Sequence, residues 1–91
     1  MFVVIIKNKV RLEGKEDYLK ASKLFAGDMK NVEGCCDALV LDSIDENDVV
    51  VNLELWNSKE DFDRYDGSVF MKHKSNLKPN FLGNTTELYN L

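Results

Sequence analysis

The chain switches between stretches of period two and stretches of helical spacing, and these switches predict its elements. Phe2 to Leu12 alternates as a strand, with Phe2, Val4, Ile6, Asn8, Val10 and Leu12 on one face. Val3, Ile5, Lys7, Lys9 and Arg11 take the other face. Glu13-Gly14 then turns the chain into a helix from Lys15 to Val32, whose inward stripe is Tyr18, Ser22, Phe25, Met29 and Val32. Gly27 is a weak spot in that helix, and Gly34 suits a left-handed cap beyond it. Cys35 to Asp42 reads as a second strand, joined by a polar turn to a third, so the two form a hairpin.

The third strand has a wholly apolar face, Val49, Val51, Leu53 and Leu55, and a mixed one, Val50, Asn52, Glu54 and Trp56. Ser58 with Asp61 reads as a capping box opening a short helix, with Phe62 and Tyr65 on one side. Asp66-Gly67-Ser68 stops it and caps another, in which Phe70, His73 and Leu77 recur at helical spacing. Lys78-Pro79-Asn80 ends that helix, Phe81-Leu82 packs down, Gly83-Asn84 turns the chain, and Thr85 to Leu91 is the fourth strand.

The order βαββααβ predicts a single α+β domain over residues 1–91, a ferredoxin-like antiparallel sheet with helices on one face. Val3 and Ile5, with Val50 and Trp56, are then expected to lie on the uncovered face. An uncovered apolar sheet face calls for a partner surface. The economical partner is a second copy, sheet against sheet, in a two-fold homodimer.

Composition narrows the function. A net charge of -4 leaves no basic stripe for phosphates, which argues against nucleic acid as the main partner. No apolar run is long enough for a membrane span. Phe2–Ile6 has neither a basic leader nor a small-residue cleavage site, so it reads as a strand, and the cytoplasm is the expected location. Cys35 and Cys36 are adjacent, too close for an unstrained disulfide, and on a strand they point to opposite faces. One buried and one less buried thiol is the expectation.

Candidate chemistry gathers on the helical pair, where one side offers aromatic rings, a phenol and the chain's only histidine. An active site is expected between that side and the sheet. Asn8 is the sole polar residue on its strand face, so its amide is either paired within the core or presented to a ligand.

The segments VVIIKNKVRLEGKEDYLKA, VEGCCDALVL and LELWNSKEDFDRYDGSVFMKHKSNLKPNF carry a further pattern. Its most telling part is Glu54-x-Trp56-x-Ser58-x-Glu60 followed by Phe70-x-x-His73. Over nearly its whole length the chain resembles the antibiotic-biosynthesis-monooxygenase-like family of dimeric α/β barrels. The resemblance implies a homodimer with a pocket in each subunit for a small, flat aromatic substrate, a quinol or phenol. It also implies reaction with molecular oxygen and no cofactor. His73 is then the proton acceptor, Tyr65 and Asn8 hydrogen-bond the substrate oxygens, and Phe25, Phe62 and Phe70 hold the ring.

Two alternatives accompany this reading. Haem-degrading relatives use a first-strand Asn, matched by Asn8, and an iron-binding His, for which His73 stands in the right helix. Here Tyr65 replaces their Trp, and His73 falls one step early. The other alternative is a non-enzymatic module that binds a small ligand or a partner.

Overall fold

The computed structural model describes residues Met1–Leu91. Strand β1 (Phe2–Val10) runs antiparallel between β3 (Val49–Trp56) and β4 (Phe81–Asn90), and β2 (Cys35–Asp42) flanks β3, giving the order β2-β3-β1-β4. Helix α1 (Lys15–Met29) crosses from β1 to β2, while α2 (Lys59–Arg64) and α3 (Ser68–Leu77) lead from β3 to β4. This is the expected ferredoxin-like arrangement. No helix is long and apolar enough to cross a membrane.

Register decides which side of the sheet is inside. Phe2 pairs with Trp56, Val4 with Glu54, Ile6 with Asn52 and Asn8 with Val50. Residues opposite each other on antiparallel strands share a face. The mixed face of β3 therefore joins the inward face of β1 beneath the helices. Val50 and Trp56 have no exposure at all, and Asn52 and Glu54 are also buried. This corrects the expectation that Val50 and Trp56 lie on the uncovered face. That face is instead built from Val3, Ile5, Val51, Leu53 and Leu55, extended by Leu39 and Leu41 of β2.

Several boundaries also move. Leu12 leaves the sheet for a 3-10 turn, Leu12–Gly14, and α1 ends at Met29 rather than Val32. Gly14 lies close under Asn80: a Cβ there would stand 1.9 Å from Asn80 Oδ1 and push that side chain aside, beside the point where the Arg11 N–H meets the Asn80 carbonyl at 2.9 Å. Gly34 takes the left-handed conformation at φ 87°. No neighbour lies near where a Cβ of Gly27 would be, so that glycine makes room for nothing. The last strand starts at Phe81, with Gly83 and Asn84 paired to Lys9 and Asn8 rather than turning. Phe81 and Leu82 stay exposed. Cys35 is buried and Cys36 exposed, both as free thiols.

Trp56 anchors the core under α2. Its ring centroid lies 5.6 Å from Phe62 and 5.9 Å from Tyr65. Ser58 Oγ accepts the Asp61 N–H at 3.2 Å, so the predicted cap opens α2 where Phe62 can reach Trp56. The indole Nε1 donates to Glu54 Oε1 at 3.1 Å. Burial pushes the Glu54 carboxyl above its usual range, opposed only in part by that hydrogen bond.

A raised folded-state pKa means the protonated carboxyl is favoured by folding. Its contribution is fully present below the unfolded value, about 4.3, and is lost as pH rises through the folded value. In Glu54→Gln the side-chain oxygen still accepts from Trp56 but cannot ionise. The melting temperature of the native chain relative to this variant should therefore fall as pH rises above that unfolded value. A difference that stays constant with pH would contradict the assignment.

Candidate functional site

A cavity opens between the inward face of β1 and β3 and the helices α1 and α3. Its inner chamber, about 120 Å³, is bounded by Ile6, Asn8, Tyr18, Ser22, Phe25, Asn52, Phe70, Leu77 and Asn84. A vestibule of about 430 Å³ shares Asn8, Tyr18, Phe70, Leu77 and Asn84 and adds Lys74, Lys78 and Phe81. Aromatic and aliphatic walls with a few convergent polar groups suit a small organic ring. A separate groove beside Tyr65, bounded by Glu33, Asp61, Arg64 and Asp66 among others, is charged and mostly polar.

The polar end is oriented by two amides. Asn8 Nδ2 donates to the Val50 carbonyl at 3.1 Å and to Asn52 Oδ1 at 2.8 Å. A primary amide has two N–H groups, so both are spent on the protein. Asn8 is thus left with its oxygen, an acceptor, while Asn52 is left with its NH₂, a donor. Asn8 is paired within the core, one of its two expectations, and it also lines the cavity.

Ser22 and Tyr18 complete this end from α1. Ser22 Oγ is the one buried side-chain polar atom without a hydrogen-bond partner, and Ser22 lines the inner chamber. Burial pushes the Tyr18 phenol up to about 12. The nearby Ser22 hydroxyl opposes that rise, yet it completes no hydrogen bond by distance and angle. Tyr18 therefore stays protonated at neutral pH. No carboxylate, imidazole or thiol lines either chamber.

Of the residues singled out in the sequence, Asn8, Phe25 and Phe70 come together around the cavity, and His73, Tyr65 and Phe62 do not line it. His73 is buried with Nε2 2.5 Å from Asp28 Oδ2, near the end of α1. It packs edge-on against Phe25, with centroids 5.9 Å apart. The hydrogen bond from His73, then that from Lys72, holds the Asp28 carboxyl below its usual range. Tyr65 accepts the Phe70 N–H at 3.0 Å, which satisfies an open donor in the first turn of α3 and fixes a cavity-wall residue. Phe62 is 5.6 Å from both Phe2 and Trp56, partly buried against the core.

Tyr18, Ser22, Asn52, Asn84 and Lys78 were not read as site residues from the sequence. For Asn52 the signal exists only with the register, since it sits on the same face as Asn8. Ser22 and Tyr18 fall on the predicted inward stripe of α1, where a serine among aromatic residues is the available hint.

The sequence model of the family described as antibiotic biosynthesis monooxygenase matches residues 1–73. Among solved structures, a conserved protein from Methanosarcina mazei Go1 is 22% identical, with a TM-score of 0.80 over 97% of this chain and 89% of that one. A Caulobacter crescentus CB15 protein provisionally named an antibiotic biosynthesis monooxygenase is 22% identical, with a TM-score of 0.84 over 99% and 88%. One from Nitrosomonas europaea with the same provisional name is 15% identical, with a TM-score of 0.85 over 99% and 97%. No curated protein matches the chain significantly.

An unpartnered buried hydroxyl costs free energy that a methyl would not. Ser22→Ala should leave the ligand-free protein as stable as before, or raise its stability by up to ~1 kcal/mol in urea unfolding. A loss of more than ~1 kcal/mol would mean that the hydroxyl has a partner in the folded protein.

Proposed function

The chain belongs to the antibiotic biosynthesis monooxygenase family, and we propose that it oxygenates a small aromatic substrate, a quinol or electron-rich phenol, without a bound cofactor. One observation carries this reading: an aromatic-walled chamber ends in a fixed acceptor, a fixed donor and an unpartnered hydroxyl. Phe25 and Phe70 hold the ring. The Asn52 NH₂ and the protonated Tyr18 hydroxyl donate to the substrate oxygen that carries negative charge. Asn8 Oδ1 accepts from a hydroxyl that remains protonated, and Ser22 serves either need.

The ionised ring supplies the electrons. For a quinol, a ring C–H becomes C–OH while the quinol becomes a quinone. One oxygen atom of O₂ enters the ring and the other leaves as water, so all four electrons come from the substrate. The protein stabilises the oxyanion, excludes water and positions the ring, with no carboxylate, imidazole or thiol among the lining residues to act as base. His73 then acts as a positioning residue, bracing Phe25 while Asp28 holds its ring. Tyr65 positions Phe70 through the backbone.

Haem degradation is not favoured. An iron ligand from His73 needs a free ring nitrogen facing the cavity, but Nε2 is held by Asp28 and the imidazole lies outside the lining.

The homodimer belongs to the same reading. Val3, Ile5, Leu39, Leu41, Val51, Leu53 and Leu55 make one apolar surface with no helix over it. Leu39 and Leu41 alone retain 42% and 44% exposure. A second sheet is the surface of matching shape and chemistry.

Two experiments test these proposals. An oxygen electrode with a panel of quinols should record uptake that Asn52→Ala slows by about 10²–10³-fold, the usual loss for one oxyanion donor. If every ring binds and none consumes oxygen, the chain is a ligand-binding module instead. Light scattering at micromolar concentration should give a dimer, with Leu53→Glu shifting it to a monomer. A monomeric native chain would remove the sheet-to-sheet interface.

A further inference from the structure

Charge is distributed unevenly around the cavity. The chain has 16 acidic and 12 basic residues, yet the vestibule is lined by two lysines, Lys74 and Lys78, and no carboxylate. Lys72, on the same helix as Lys74, is paired with Asp28 at 3.0 Å. Lys7, Lys9, Lys15, Lys30 and Lys59 likewise have carboxylates within salt-bridge distance. Lys74 and Lys78 take part in no ion pair; Arg11, Lys20 and Lys23 have none either, but they do not line the cavity. Lys74 and Lys78 stand four residues apart at the end of α3, so two unneutralised like charges lie on one side of the helix. A favourable interaction with the helix C-terminus accounts for a cation there. It does not account for two at the mouth of a cavity whose acidic neighbours are missing.

The rest of the vestibule sharpens the field of these ammonium groups. Phe70, Leu77 and Phe81 form apolar walls, and low-dielectric walls focus a potential into the space they enclose. The inner chamber is different, since its polar groups are neutral amides and hydroxyls. The two ends therefore select different functional groups: hydrogen-bonding oxygen inside, negative charge outside. We propose that the substrate is an aromatic acid, a quinol or phenol ring bearing a carboxylate, with the ring oxygen at Asn8 and Asn52 and the carboxylate at Lys74 and Lys78. This rests on the reading of the cavity as the ring-binding site, and it adds the anionic substituent.

Isothermal calorimetry with hydroquinone and 2,5-dihydroxybenzoate isolates the substituent, because the two share one ring and differ in a carboxylate. The acid should bind about tenfold more tightly, the scale of a charge-assisted contact at a partly exposed site. Raising the salt concentration should shrink that ratio. In the Lys74→Met/Lys78→Met variant, which keeps the aliphatic stems, the ratio should fall to about one. Both lysines are exposed, and circular dichroism checks that the variant folds. Equal affinity of the native chain for the two rings, or a preference that survives in the variant, overturns the aromatic-acid proposal and leaves the ring site standing. Binding of neither ring overturns both.

Discussion

The antiparallel pairing of β1 with β3 is the constraint on which the rest depends. Because Phe2 faces Trp56 and Asn8 faces Val50 across the ladder, the mixed face of β3 is turned under the helices. Trp56 then becomes the post against which Phe62 and Tyr65 pack, and Asn52 comes within hydrogen-bonding distance of Asn8. A shift of one residue would reverse every side chain of β3. It would expose the tryptophan and separate the two amides.

The helical pair converts that anchor into a cavity wall. The Ser58 cap starts α2 so that Phe62 reaches the indole, and Tyr65 follows on the same surface. The Tyr65 hydroxyl then receives the Phe70 N–H, which ties the first turn of α3 to the core. Phe70 is in turn edge-on to Phe25, with centroids 6.4 Å apart. A chain of contacts thus runs from the sheet through the core to the two rings flanking the chamber. Side chains far from the cavity matter because they set where those rings stand.

Burial also sorts the ionisable groups. Glu54 and Tyr18 are both pushed upward, so each favours its neutral form more than it would in water. The His73–Asp28 pair sits outside the cavity and serves the packing of α3 on α1. What lines the cavity is neutral hydrogen-bonding capacity at the inner end and ammonium charge at the outer one. This arrangement suits holding charge on a substrate better than removing a proton from it.

Element types, their order and the one-sided helical layer follow from the sequence, because period two, helical spacing, the Ser58 cap and Gly34 are local properties of the chain. The same locality explains the split exposure of Cys35 and Cys36. The family resemblance was likewise visible in contiguous segments. Period two, however, defines two faces of β3 without saying which is inward, and the more apolar face turned outward. Local spacing also placed His73 and Tyr65 on the side of the helices expected to meet the sheet, whereas packing turned one to Asp28 and used the other to hold α3. Asn8, Ser22 and Asn52 are separated by many residues and meet only once the ladder and α1 are in place. Tertiary structure decided the site because convergence of distant side chains is a property of register and packing, which no single stretch of sequence contains.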